Sequence, residues 1–337
     1  MAGKSGRTIN ATPTDVWKKR ILSWEGILVV LFIAVIIFCK IISPNYTFGN
    51  VLREMPKYLS EIFLFFPMAY ILMLGEIDIS VGSIVCLTAT VGALASNAGI
   101  PFVLVIVIML VTGALCGAVN GFLITKFPEL PSMIITLGTQ IIFRGLAEII
   151  LGDGGSVSIK NSEGYRFISQ RIGGVYPPMF FLVLICAAIF TLISVKKIYG
   201  REIMAIGSNR LTSLYSGIKV KKDIFIAYVT MGTFSAVAAL FLTAASYAAN
   251  TTTGTGFEMD AIAMAVFGGI ATTGGKGKMI GGIIAAFIIV CLRIGLGQIN
   301  MNSQLILLII GVLLICSVLL PNISTAISQN KKKAASK

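Results

Sequence analysis

The sequence predicts an all-α fold: a polytopic membrane helix bundle of about ten transmembrane helices, some of them broken. Three observations lead there. Of 337 residues, 56% are apolar and 12% charged, with a mean hydropathy of +0.92, whereas a soluble domain is roughly a quarter charged. Apolar stretches of about twenty residues with one ionisable group or none recur along the chain, which is the length that crosses about 30 Å of hydrocarbon. Glycines and two acidic residues interrupt the apolar pattern at 75–83, too briefly for an ordinary exposed loop.

Hydropathy places helices near 24–42, 58–75, 79–98, 101–125, 131–151, 176–195, 223–246, 259–274, 279–299 and 303–320. The first run is longer than the apolar core of a secretory signal, and no small-residue cleavage site precedes Lys40 and Pro44, so it is expected to remain in the mature protein. Pro67 is expected to kink the second span. In the fourth, Gly113, Gly117 and Gly121 recur every four residues and leave one face bare for a neighbouring backbone. Arg144 and Glu148 in the fifth stand one turn apart and are expected to neutralise each other. Arg293 in the ninth has no partner within a turn, so it must find a carboxylate or water on another helix or in a cavity. Lys40 and Glu61 lie near span ends, where long side chains reach the interface, and carry no expected function.

Cytoplasmic loops retain an excess of Lys and Arg. With ten spans, nineteen of the 27 such residues fall on one side, five on the other and three inside spans. Both termini are therefore expected in the cytoplasm. The organisation is then a cytoplasmic segment 1–23, a membrane domain 24–320 and a basic cytoplasmic tail 321–337. The net charge of +13 follows from this asymmetry and calls for no nucleic-acid partner; Lys331, Lys332 and Lys333 are expected to act as a stop-transfer signal and lipid-headgroup anchor. Two connections are long. The outer one, 152–175, is glycine-rich and suited to capping the outer mouth or meeting an external partner. The inner one, 196–222, is basic and amphipathic over 201–217, which suits either a short helix against a cytoplasmic protein or one lying on anionic lipid.

Segment 75–83, Gly-Glu-Ile-Asp-Ile-Ser-Val-Gly-Ser, brings Glu76 and Asp78 between apolar runs. A carboxylate at the bilayer centre costs about 2.5–3.5 kcal/mol on insertion scales, so a helix break at an aqueous edge is expected, with Ser80 capping the next helix. A plain interfacial turn is the alternative.

The composition excludes much chemistry. There is no histidine, and so neither the commonest catalytic base nor the commonest metal ligand. The six cysteines all lie in apolar runs without C-x-x-C spacing, which reads as core packing and not as a disulfide framework or metal site. The run from Gly268 to Gly277 looks like a phosphate loop, but Gly275 and Lys276 stand where that motif needs Lys and then Ser or Thr. No element of this chain is expected to bind a nucleotide, so a nucleotide-driven process would place ATP and Mg on another polypeptide.

Segment 75–83 is similar to the Gly-Gly-Ile-Asp-Leu-Ser-Val-Gly-Ser signature of the ribose-type ABC sugar permeases. Three further blocks agree in order. Residues 131–139, with Arg144, Gly145 and Leu146 following, resemble the family's Pro-Pro-Phe-Ile-Val-Thr-Leu-Gly-Thr and Arg-Gly-Leu. Gly200, Arg201, Ala205, Ile206, Gly207, Asn209, Ser216, Gly217 and Ile218 resemble its cytoplasmic loop, and Asp260, Ala261 and Ile262 through Gly268, Gly269, Gly274, Gly275 and Gly281 resemble its eighth-to-ninth-span region. Together these span about 60–320. Two departures stand out: Glu76 occupies the place of a second glycine, and Arg210, Thr212 and Ser213 replace a commonly acidic, alanine-rich stretch.

The resemblance implies a permease subunit in the bacterial cytoplasmic membrane, paired with a second copy or a paralogue, served by a cytoplasmic ABC ATPase and an external sugar-binding protein. Residues 201–217 then look like the loop that couples to the ATPase, with Gly207 allowing a tight turn and Asn209 capping the helix that follows. The chain itself would break no bonds and bind no cofactor or metal. A polar path for hydroxyl-rich cargo would draw on Asp78, Ser80, Thr136, Thr139, Thr272, Thr273 and Arg293, while Gly75, Gly82, Gly113, Gly117, Gly121, Gly268 and Gly269 serve packing. The rival readings are an ion-coupled secondary transporter using Glu76, Asp78 and Arg293, an intramembrane enzyme, which lacks a catalytic constellation, or a permease for nucleosides or branched-chain amino acids.

Overall fold

The apolar runs form helices because backbone polar groups in hydrocarbon need internal partners. In the computed structural model the described residues are 23–173, 176–313 and 315. They form α1 (Trp24–Ile42), α2 (Phe48–Glu54), α3 (Pro56–Met73), α4 (Val81–Asn97), α5 (Phe102–Lys126), α6 (Ser132–Leu151), β1 (Ser156–Ser158), α7 (Glu163–Ser169), α8 (Pro178–Lys196), α9 (Ile198–Ser208), α10 (Arg210–Tyr215), α11 (Val220–Ser246), β2 (Ala248–Asn250), α12 (Phe257–Phe267), α13 (Met279–Gln298) and α14 (Ser303–Leu313). Segment 1–22, Gly174, Cys316, the end of the last expected span and the basic tail lie outside the described residues.

The fold is all-α apart from the two short strands. Proline marks several helix starts, where its missing N–H costs nothing: Pro56 is the first residue of α3, and Pro101, Pro131 and Pro177 precede α5, α6 and α8. Six helices, α1, α5, α6, α8, α11 and α13, are long and apolar enough to cross a membrane. The expected helix over 259–274 is shorter. It ends at Phe267, where Gly269 turns left-handed (φ 88°) and Ile270 N bonds back to the Ala265 carbonyl; Gly268 packs directly on Gly282 of α13, and 268–278 continues as a loop.

α3 is the centre of the core, with every residue from Leu59 to Met73 buried. Phe63 stacks on Phe241 of α11 at 5.5 Å, and Phe66 and Tyr70 lie against Phe190 of α8. Glu61 is buried in this core and does not reach an interface. α11 packs along α5 through the predicted bare face. A Cβ on Gly113 would overlap the Gly232 carbonyl oxygen, and one on Gly117 would overlap that of Tyr228, while Gly121 meets Phe225. Cys39, Cys86, Cys116 and Cys291 are buried and free, as core residues.

The two ends of the bundle differ. At one, β1 pairs antiparallel with β2 through Ser156–Asn250, Val157–Ala249 and Ser158–Ala248. Asn97 donates to the Ser158 carbonyl at 2.9 Å, and Tyr165 of α7 is buried edge-on against Phe102. At the other end α9, α10, the α3–α4 break and loop 268–278 converge. The amphipathic stretch 201–217 is not one helix: Asn209 is extended and divides α9 from α10.

Candidate functional site

The α3–α4 break is built from polar side chains supplied by three helices. Gly75 takes a left-handed conformation (φ 77°) that lets the chain leave α3. The extended residues that follow have no helical partners for their N–H groups, and α6 provides them: Ser132 Oγ accepts from Ile77 N at 3.1 Å and Thr136 Oγ1 from Ile79 N at 3.2 Å. Tyr228 of α11 donates to the Ile77 carbonyl at 3.5 Å. Thr139 lies one turn further on and donates to the Thr136 carbonyl.

Within the break, Asp78 Oδ1 accepts from Ser80 N at 2.9 Å and from Ser80 Oγ at 2.6 Å, and Ser80 Oγ accepts from Asn120 Nδ2 of α5 at 2.7 Å. Ser80 therefore precedes α4 without capping it, because its hydroxyl is spent on Asp78. Asp78, Ser80 and Asn120 are wholly buried, and Glu76 is 8% exposed. Within the single subunit the Asp78 carboxylate is enclosed by protein: two hydrogen bonds hold Oδ1, and Oδ2 is buried without a partner among the described residues. Asn120, Ser132 and Tyr228 join the site although no sequence motif singles them out. The signal for Asn120 was its amide in an otherwise apolar stretch of α5, and for Ser132 its position one turn before Thr136.

Beside the break, α9 and loop 268–278 press on the end of α3. Gly275 N donates to the Met73 carbonyl at 2.8 Å, and a Cβ on Gly207 would overlap that same oxygen. Gly207 is helical and makes no tight turn; it is small because three backbones meet there. Gly274 touches both Gly75 and the Gly207 carbonyl. Asn209 Oδ1 accepts from Thr212 N at 2.9 Å and caps α10, and Gly217 (φ 84°) turns the chain into α11. Along α9, Ile206 is buried while Arg201 is exposed, and Leu211, Leu214 and Tyr215 of α10 are exposed as well. Thr272 and Thr273 are exposed in loop 268–278, where the Thr273 carbonyl lies against Gly75, apart from the Asp78–Ser80–Asn120 chain. A cavity of about 860 Å³ opens here, lined by Trp24, Met204, Thr272, Thr273 and Lys276.

The remaining intramembrane charges are elsewhere. Arg293 is 6% exposed and bonds two carboxylates at 2.5 Å each, Glu61 of α3 and Asp260 of α12, beneath the Tyr58 ring. Arg144 does not pair with Glu148. Its guanidinium donates to the carbonyls of Thr251 and Thr253 at 2.7 and 2.9 Å, because the chain between β2 and α12 folds back alongside α6 and offers two acceptors. Gly82, at the start of α4, touches Gly254 of the same returning segment.

A family model describing the permease component of branched-chain amino acid transport systems matches residues 58–318. The chain belongs to this permease family. Among curated proteins, it is 32% identical to a fructose import permease of Bifidobacterium longum over 90% of this chain and 92% of that one. It is 32% identical to a D-allose transport permease of Escherichia coli (89% and 92% covered) and 33% identical to a ribose import permease of Bacillus subtilis (86% and 90% covered). No solved structure matches. The permease is thus a multi-pass membrane transport subunit of the ABC import type, as the sequence blocks imply.

Proposed function

We propose that the permease carries a small sugar across the bacterial cytoplasmic membrane, receiving it from an external binding protein and drawing energy from a cytoplasmic ABC ATPase that binds ATP and Mg. The observation that carries this reading is the junction at Met73, where α9 packs backbone to backbone on the helix that leads into the polar break. A push on α9 toward α3 is passed directly to residues 73–80. Similarity to import permeases for fructose, allose and ribose supports a sugar cargo.

The ten apolar segments then make ten passes, with both termini, 196–222 and 268–278 inside and 152–175 outside. Residues 24–320 form the membrane domain, flanked by 1–23 and 321–337. A second permease subunit, identical or paralogous, completes the path between two bundles. Asp78, Ser80, Thr136 and Thr139 shape the break beside that path. Thr272 and Thr273 act at its inner mouth, and Arg293 holds helices together and contacts no cargo. Arg201, Ala205, Ile206, Gly207, Asn209, Ser216 and Gly217 form and support the surface that the ATPase moves.

The test is uptake of labelled ribose, allose and fructose into vesicles holding the permease with its ATPase and binding protein. Uptake that needs both proteins and ATP is expected. Accumulation by the permease alone, driven by an ion gradient, would refute the proposal.

A further inference from the structure

Among the described residues, only one of the seven cations in 196–222 forms an ion pair with another part of the chain. Arg210, the first residue of α10, places Nη1 3.1 Å from Oε1 of Glu76. The Glu76 side chain is 11% exposed and that of Arg210 is 42% exposed, so the pair sits at the edge of the protein with its carboxylate largely desolvated.

The mechanics of the junction give this pair a distinct task. Contact between Gly207 and Met73 is steric, so it transmits a push of α9 toward α3 but offers little resistance to a pull. An ion pair attracts across its gap, so it resists separation where a steric contact does not. Glu76 is two residues from Asp78, and its own N–H is fixed to the Ile71 carbonyl at 3.0 Å. Arg210 is fixed through the Asn209 cap at the start of α10. Each end of the pair is therefore anchored to a different one of the two parts that must move together.

We propose that Glu76–Arg210 is a tension-bearing latch, through which withdrawal of α10 pulls on the α3–α4 break and its Asp78–Ser80–Asn120 chain. The latch rests on the coupling role proposed for 201–217. It makes Glu76 and Arg210 positioning residues for the transport stroke, without contact to sugar or nucleotide.

The experiment compares the reconstituted complex of native permease, ATPase and binding protein with complexes carrying E76Q, R210Q or the exchange E76R/R210E. The readout is sugar moved per ATP hydrolysed. A loss of packing or assembly lowers transport and hydrolysis together and leaves that ratio alone, whereas a broken latch lets the ATPase cycle without moving the break. Either single change is expected to lower the ratio at least threefold, and the exchange is expected to bring it back to within twofold of native. Ratios equal to native in the single variants, or an exchange no better than the two losses combined, would overturn the latch. Failure of the native complex to import sugar with ATP would instead remove the coupling role on which the latch stands.

Discussion

Gly207 of α9 meets the Met73 carbonyl at the end of α3 so closely that no Cβ fits between them, and the same oxygen accepts from Gly275 N. The contact joins the loop end of the bundle to its most buried helix. Replacing Gly207 with alanine forces two backbones apart, an overpacking that costs about 1–3 kcal/mol. Gly207→Ala is expected to cut ATP-driven uptake at least tenfold, and Gly207→Leu to abolish it. Near-native uptake by Gly207→Leu at matched permease levels would remove this junction from the coupling route.

Arg293 holds α3, α12 and α13 together through Glu61 and Asp260. Truncating one partner of a buried pair leaves uncompensated charge and costs about 3–5 kcal/mol. Arg293→Met is expected to lower the thermal midpoint in detergent markedly. Arg293→Lys should fall between, since a single ammonium replaces a two-pronged guanidinium. Arg293→Met with an unaltered midpoint would show that the three charges are not held as a unit.

Thr136 supplies the acceptor for Ile79 N in the break. Thr136→Val keeps the shape and deletes the hydroxyl, leaving a buried N–H unpaired at a cost of about 1–3 kcal/mol. Faster amide hydrogen exchange over 76–81 is expected, and Thr136→Ser should restore native exchange. Equal protection in the valine variant would mean that Ile79 N finds another acceptor.

The α5–α11 contact predicts a contrast between glycines. A Cβ on Gly117 overlaps the Tyr228 carbonyl, whereas nothing lies within 4 Å of one on Gly49 in α2. Gly117→Val is expected to destabilise the bundle by several degrees of thermal midpoint, and Gly49→Ala to leave it unchanged or slightly higher, as alanine favours helix. Similar midpoints for the two variants would contradict close helix packing at Gly117.

Hydropathy, charge and glycine spacing along the chain are enough to read the all-α membrane class, the positions of most helices, the broken segment at 75–83 and the bare face at Gly113, Gly117 and Gly121. Each is a one-dimensional property: hydropathy over twenty residues, a charge inside an apolar run, or a repeat every fourth residue on one helix. Which groups pair with one another came from long-range packing. Arg144 and Glu148 share a helix face, yet the carbonyls of Thr251 and Thr253, more than a hundred residues away, capture Arg144. Glu61 lies near a helix end that reads as interfacial, but α12 and α13 bury it beside Arg293. Gly207 reads as a turn because glycine permits turns, and only the approach of Met73 and Gly275 shows that space, not conformation, is what it provides. Local pattern fixes which face of a helix is bare or charged; what fills that face depends on which distant backbone the fold brings to it.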